Sequence, residues 1–223
     1  MRALIRYTLA NLFVSQRFVP PTFLYMVLLA VLTSSDPGPL VTVYAAAGGS
    51  LLAASVWITV AVANAEDPVG RWVLLANARR TSDIVIAIAA SALLYEVALI
   101  GIGLVYPLAT GHHTVTVSGL AIGAIAELTC ALVGTGVGLL CARPVIVRTG
   151  VSTLAGIAMV LVVLLVKALP PVSPMLQRMT SGSAARTALT LTDAVPYVGF
   201  AILGAAALYG CGLLAHRVGR RRD

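Results

Sequence analysis

Residues 40–64 read LVTVYAAAGGSLLAASVWITVAVAN, a run of 25 positions without one charged side chain. A helix needs about 20 apolar residues to cross the hydrocarbon core of a bilayer, so this run is long enough to span it. Breakers bound it on both sides: Ser34-Ser35-Asp36-Pro37-Gly38-Pro39 before and Asp67-Pro68 after. Working outward, similar apolar runs occupy 20–35, 83–109, 115–142, 145–169 and 191–215, separated by Gly111, Pro144 and Pro170-Pro171. The expected fold is therefore all-α and polytopic, with six transmembrane helices. Residues 1–18 form a cytoplasmic interfacial helix, 19–216 the six-helix domain, and 217–223 a basic cytoplasmic tail.

Composition agrees. Of 223 residues, 59% are hydrophobic and only 10% charged, against about 25% charged in a soluble domain. The mean hydropathy is +0.98. Lipid must be part of the solvent. The net charge of +7 comes from short arginine clusters between apolar runs, which suit anionic headgroups and set topology. No nucleic-acid-binding motif accompanies the charge, and aromatics are only 6%, so nucleic acid is not an expected partner. Cys130, Cys141 and Cys211 form no Cys-x-x-Cys pair, and an odd count argues against a disulfide framework. They read as small buried hydrophobes. Lys167 is the sole lysine and follows no glycine loop. A phosphate-binding P-loop requires Gly-x-x-x-x-Gly-Lys-Ser/Thr, so any use of ATP and Mg must come through a partner chain. No cofactor is expected in this chain.

Orientation follows from the basic residues. With residue 1 inside, the inner segments hold Arg2, Arg6, Arg17, Arg71, Arg79, Arg80, Arg143, Arg148, Arg217, Arg220, Arg221 and Arg222. The outer side keeps only Lys167, Arg178 and Arg186. The positive-inside rule then puts both ends of the chain in the cytoplasm. On one helix Arg2, Arg6 and Arg17 fall within about 60° of one another, which suits a helix lying in the headgroup layer. A signal peptide is disfavoured, because Pro20-Pro21 precedes the first apolar run and no Ala-x-Ala follows it. The Ala/Val/Arg-rich, Lys-poor usage points to a high-GC bacterium, and the expected location is the bacterial plasma membrane. The outer segment 170–192 is the longest polar stretch, rich in Ser, Thr and Pro.

The first inner loop runs from Glu66 to Asp83. Asp67 can cap a short helix and Pro68 suits its first position. The acids at its start and Arg79-Arg80 at its end both match the helix dipole, and Trp72 can anchor it at the interface. Glu66 four residues before Gly70, then an apolar stretch, then a basic pair, resembles the permease subunits of type-2 ABC exporters. Their pattern is Glu-x-x-x-Gly-Thr, a Leu-rich stretch and Pro-x-x-Arg. Arg71 stands where that pattern has Thr, and Asn77 where it has Pro. The resemblance covers the whole chain in layout and about 15 residues in motif. It implies a membrane subunit that pairs with a second copy or a related chain, and that binds a separate cytoplasmic ATPase. It implies further that Glu66, Asp67, Gly70, Arg71, Trp72, Arg79 and Arg80 form the segment meeting that ATPase, with 170–192 as the outer gate region.

Two acids lie deep in apolar runs, Glu96 and Glu127. Burying an ionised carboxylate there costs several kcal/mol unless it is paired or wet, so both are candidates for a substrate pathway. Their spans are consecutive and antiparallel, which allows the acids to sit at matching depth. Tyr95, Tyr106, Thr129 and Asn64 are the expected partners, or a proton on the acids themselves. Glu127 shares a stripe with Gly119, Gly123 and Ala131, and Gly134 and Gly138 form a Gly-x-x-x-Gly. Small residues at such spacing let helices approach closely, so these four glycines are expected at a helix interface. His112-His113 has no further ligand nearby in sequence, and no metal site is expected. Two other readings stay open. One is a proton-coupled secondary transporter using Glu96 and Glu127, although repeated halves are not visible. The other is a membrane-embedded lipid-modifying enzyme, although no convergent His/Asp/Ser set is found and the chain is not expected to be an enzyme.

Overall fold

The computed structural model describes residues 2–34, 39–66, 70, 81–110, 116–142, 145–146, 149–166, 171–181 and 195–220. Among them eight helices form: α1 (Arg2–Ser15), α2 (Val19–Ser34), α3 (Leu40–Ala63), α4 (Thr81–Thr110), α5 (Val117–Cys141), α6 (Thr149–Leu165), α7 (Val172–Thr180) and α8 (Val195–Arg220). The apolar runs dictate this, because backbone polar groups in hydrocarbon must be satisfied within the segment itself. Local chemistry sets the ends. Pro39 precedes α3 with extended backbone, and the Thr116 side chain accepts the Gly119 N–H at the start of α5, at 3.2 Å.

Four helices, α3, α4, α5 and α8, are long and apolar enough to cross a membrane. A fifth crossing results if α1 and α2, which meet at 76°, count as one bent span. The chain is thus a multi-pass helical membrane protein. The bend falls at Gln16, whose φ of 52° lies in the left-handed region. Arg17 therefore sits in the turn and not on α1, so it does not share the helical face of Arg2 and Arg6. The guanidinium of Arg17 donates to the backbone carbonyl of Asn64, just past the end of α3, where a helix presents unpaired carbonyls.

The centre of the bundle is the pair α3 and α5. Of their apolar windows 78% and 67% are buried, against 28% in α4 and 11% in α8. Lipid is as apolar as leucine, so burial here follows small side chains that allow close backbone approach. A Cβ at Gly134 would lie 2.5 Å from Ser55 Cβ, one at Gly138 2.5 Å from Thr59 Cβ, and one at Gly123 2.5 Å from the Tyr44 ring. These pairs keep the same spacing along both helices, so α3 and α5 run parallel and in register. Gly119 meets Leu40 and Val41 at the start of the same interface. On its other side α5 packs on α8, with Gly136 set against Leu208.

Part of the polar segment 170–192 is helical, as α7. Val172, Met175 and Met179 are fully buried. Thr42 Oγ1 donates to the Met179 carbonyl at 3.5 Å, and Leu176 reaches toward Gly48 and Gly49 further along α3. Helix α7 is therefore antiparallel to α3 and folds inward beside it, while Arg178 rests over the Phe200 ring of α8 at 5.4 Å.

Candidate functional site in the α4–α5 seam

Helices α4 and α5 are consecutive and antiparallel, and each brings one acid into the interior. Both Glu96 and Glu127 are fully buried, as the cost of a carboxylate facing lipid requires. Their surroundings differ. Glu96 on α4 faces Thr135 on α5, whose hydroxyl donates to Oε1 at 3.1 Å and to Oε2 at 2.9 Å. Ser55 of α3 flanks the same carboxylate, without a hydrogen bond of good geometry from its hydroxyl.

Glu127 on α5 faces Gly103 on α4. A Cβ at Gly103 would fall 2.7 and 2.8 Å from the two Glu127 oxygens and would collide with the Tyr25 hydroxyl as well. Glycine at 103 is what makes room for the carboxyl group. Neither Glu127 oxygen has a hydrogen-bond partner among the described residues. The nearby phenols do not supply one. Tyr25 donates to the Leu99 carbonyl and Tyr44 to the Leu104 carbonyl, each at 3.3 Å. Pro107, inside α4, has no N–H for the carbonyl four residues earlier, which is that of Gly103. The result is a cluster of acceptors: two carboxyl oxygens, two phenol oxygens whose protons are committed elsewhere, and a backbone carbonyl lacking its usual donor. Such a set suits a cation or a ligand rich in N–H and O–H donors.

These contacts fix the register and correct the expected depth. Glu96 and Gly103 are seven positions apart on α4, roughly 10 Å at 1.5 Å per residue, so the two acids lie about two turns apart and not at one level. The expected partners do not serve them either. Tyr95 shares a hydrogen bond with Thr22 at 2.7 Å, Thr129 donates to the Ile125 carbonyl at 2.7 Å, and the Asn64 amide is buried without a partner among the described residues. Thr135 stands at Glu96 instead, and Gly103, which shares the α4 face of Glu96, meets Glu127 together with Tyr25.

Of the expected coupling segment, Asp67, Arg71, Trp72, Arg79 and Arg80 lie outside the described residues. Glu66 is described. It closes a recess of about 20 Å³ with Leu4 and Thr8 of α1 and Ala87 and Ile88 of α4. Among the described residues, nothing lies within 4 Å of the position a Cβ at Gly70 would take. The three cysteines are free thiols. No group of three or more His, Cys, Asp or Glu side chains suited to a metal occurs among the described residues. No family model, curated protein or solved structure matches this chain.

Proposed function

We propose that this chain is the membrane-spanning permease subunit of an ATP-driven exporter of the type-2 ABC kind, working with a separate ATPase that supplies ATP and Mg and docks on residues 66–80. One observation carries the reading: the junction where α3 ends is braced from two sides. Arg17 ties the α1–α2 turn to the Asn64 carbonyl, and Glu66 lines a small recess together with residues of α1 and α4. A push on the segment that begins at Glu66 therefore reaches α1, α4 and the buried α3–α5 pair together, where a loose loop would absorb it.

In this reading the six crossings are α2, α3, α4, α5, α6 and α8, and α1 lies in the cytoplasmic headgroup layer, which its 76° angle to α2 supports. Helix α6 has 17 residues, about 26 Å at 1.5 Å per residue, and α7 occupies the outer depth beside it. The exposed apolar faces of α4 and α8 leave room for a second membrane subunit, the same chain or a related one. The membrane is the plasma membrane of a bacterium, with both ends inside. Glu127 lies on the substrate pathway and receives a cationic or donor-rich group. Glu96 holds α4 to α5.

The uncommitted Glu127 carboxyl also favours a second reading, a secondary carrier driven by protons. Purification of the tagged chain from its native membranes separates the two. The exporter reading expects a P-loop ATPase to copurify and to be lost when residues 71–80 are scrambled. Transport by the purified chain alone, driven by a proton gradient without ATP, would establish the carrier instead.

A further inference from the structure

Two apolar grooves run along the outside of the bundle, and they differ at one end. The larger, about 450 Å³, lies between α4 and α8 and includes Ala89, Leu93, Leu139, Leu208 and Tyr209 in its walls. It extends from Leu93 to Ser82 in the first turn of α4 and ends beside His216 of α8. Those 12 residues of helix cover roughly 16 Å, about half of the ~30 Å hydrocarbon core, which is the depth of one leaflet. The smaller groove, about 290 Å³, is formed by α2, α3 and α6 around Trp57, Gly156 and Val160, and its walls carry no charged residue and no histidine.

The polar end of the larger groove is built for an anion. The His216 Nδ1 is buried and has no hydrogen-bond partner among the described residues. Ser82 offers a hydroxyl at the N-terminal end of α4, where a helix carries partial positive charge. Arg217 follows His216 and is exposed. The sequence adds Arg79-Arg80 just before α4 and Arg220-Arg221-Arg222 at the end of α8. Asp83 and Asp223 are the acids nearby in sequence, and Asp83 is not part of the groove wall.

We infer that the α4–α8 groove binds a phospholipid with an anionic headgroup. One acyl chain lies along Ala89, Leu93 and Leu208, and the headgroup phosphate accepts from Ser82 and His216. This inference rests on the chain being a membrane protein; it requires no ATPase, and it leaves a second subunit only the exposed faces of α4 and α8 outside the groove.

Tryptophan quenching tests it. Tyr209→Trp, in a background of Trp57→Phe and Trp72→Phe, puts the sole tryptophan in the groove wall at a residue already 70% exposed. The protein is reconstituted in phosphatidylcholine vesicles containing a brominated lipid, either phosphatidylglycerol or phosphatidylcholine. The expected result is a preference of roughly five-fold for the anionic lipid, the effect of about one basic group near a charged headgroup. His216→Gln, and separately Ser82→Asp, should remove that preference. The native Trp57, read in a Trp72→Phe protein, should be quenched equally by both lipids. Equal quenching at position 209 would overturn the inference. So would protection from both lipids accompanied by disulfide formation between two copies carrying Leu208→Cys, because a second copy would then occupy the groove.

Discussion

At one level of the α4–α5 seam, Glu96 is gripped by a threonine hydroxyl shared between both its oxygens. Two turns away, Glu127 is equally buried and neither of its oxygens is bonded among the described residues. The residue type, the burial and the pair of helices are the same; the facing residue differs, Thr135 in one case and Gly103 in the other. A satisfied buried carboxyl group fastens two helices together. An unsatisfied one among other acceptors adds nothing to that fastening, and its presence calls for a ligand. The two acids, alike in sequence, therefore have separate roles.

The largest effect on stability belongs to Gly103, because a side chain there drives into Glu127 and Tyr25. Gly103→Val should cost about 1–3 kcal/mol through overpacking and lower the thermal unfolding midpoint in detergent. Gly101→Val, two residues away with no described residue within 4 Å of its Cβ position, should stay within about 0.5 kcal/mol. Equal losses at both positions would remove the argument that α4 and α5 meet closely at Glu127. Next comes Thr135→Val, which leaves the Glu96 carboxyl buried without a donor and should cost about 1–2 kcal/mol. Glu96→Gln keeps an acceptor for Thr135 and should cost less than about 1 kcal/mol, with transport retained. The smallest change in stability is expected from Glu127→Gln, within about 0.5 kcal/mol, since no hydrogen bond is lost. Its transport rate should nevertheless fall at least roughly ten-fold, the loss of one charged contact to substrate. A Glu127→Gln protein that transports normally and unfolds as early as Thr135→Val would make the two acids equivalent after all.

Helix positions were legible in the sequence because hydrocarbon thickness fixes their length and breakers fix their ends. The run 40–64 became Leu40–Ala63, and 115–142 became Val117–Cys141. The role of Gly119, Gly123, Gly134 and Gly138 could be read from their spacing, although the partner helix could not. The depth of the acids was not legible, because it depends on the register of one helix against another. Counting equal distances from the ends of α4 and α5 sets Glu96 against about residue 131, one turn from Thr135, so the true partner was within reach of simple geometry. Tyr25 and Tyr44 sat in apolar runs and read as bulk; their hydroxyls matter only once Leu99 and Leu104 are brought alongside. Helix α7 was hidden by the Ser, Thr and Pro around it. Even so, Val172, Met175, Leu176 and Met179 recur at the spacing of one helical face, a signal that composition alone obscured.

The proposed coupling requires residues 66–80 to face the compartment where ATP is made available. A membrane-impermeant maleimide tests this on intact cells, with the three native cysteines replaced by alanine and a single cysteine introduced. Ala78→Cys should stay unlabelled until the membrane is permeabilised, while His113→Cys should react at once. Labelling of Ala78→Cys in intact cells would put the segment on the outer surface and contradict the proposed coupling to an ATPase.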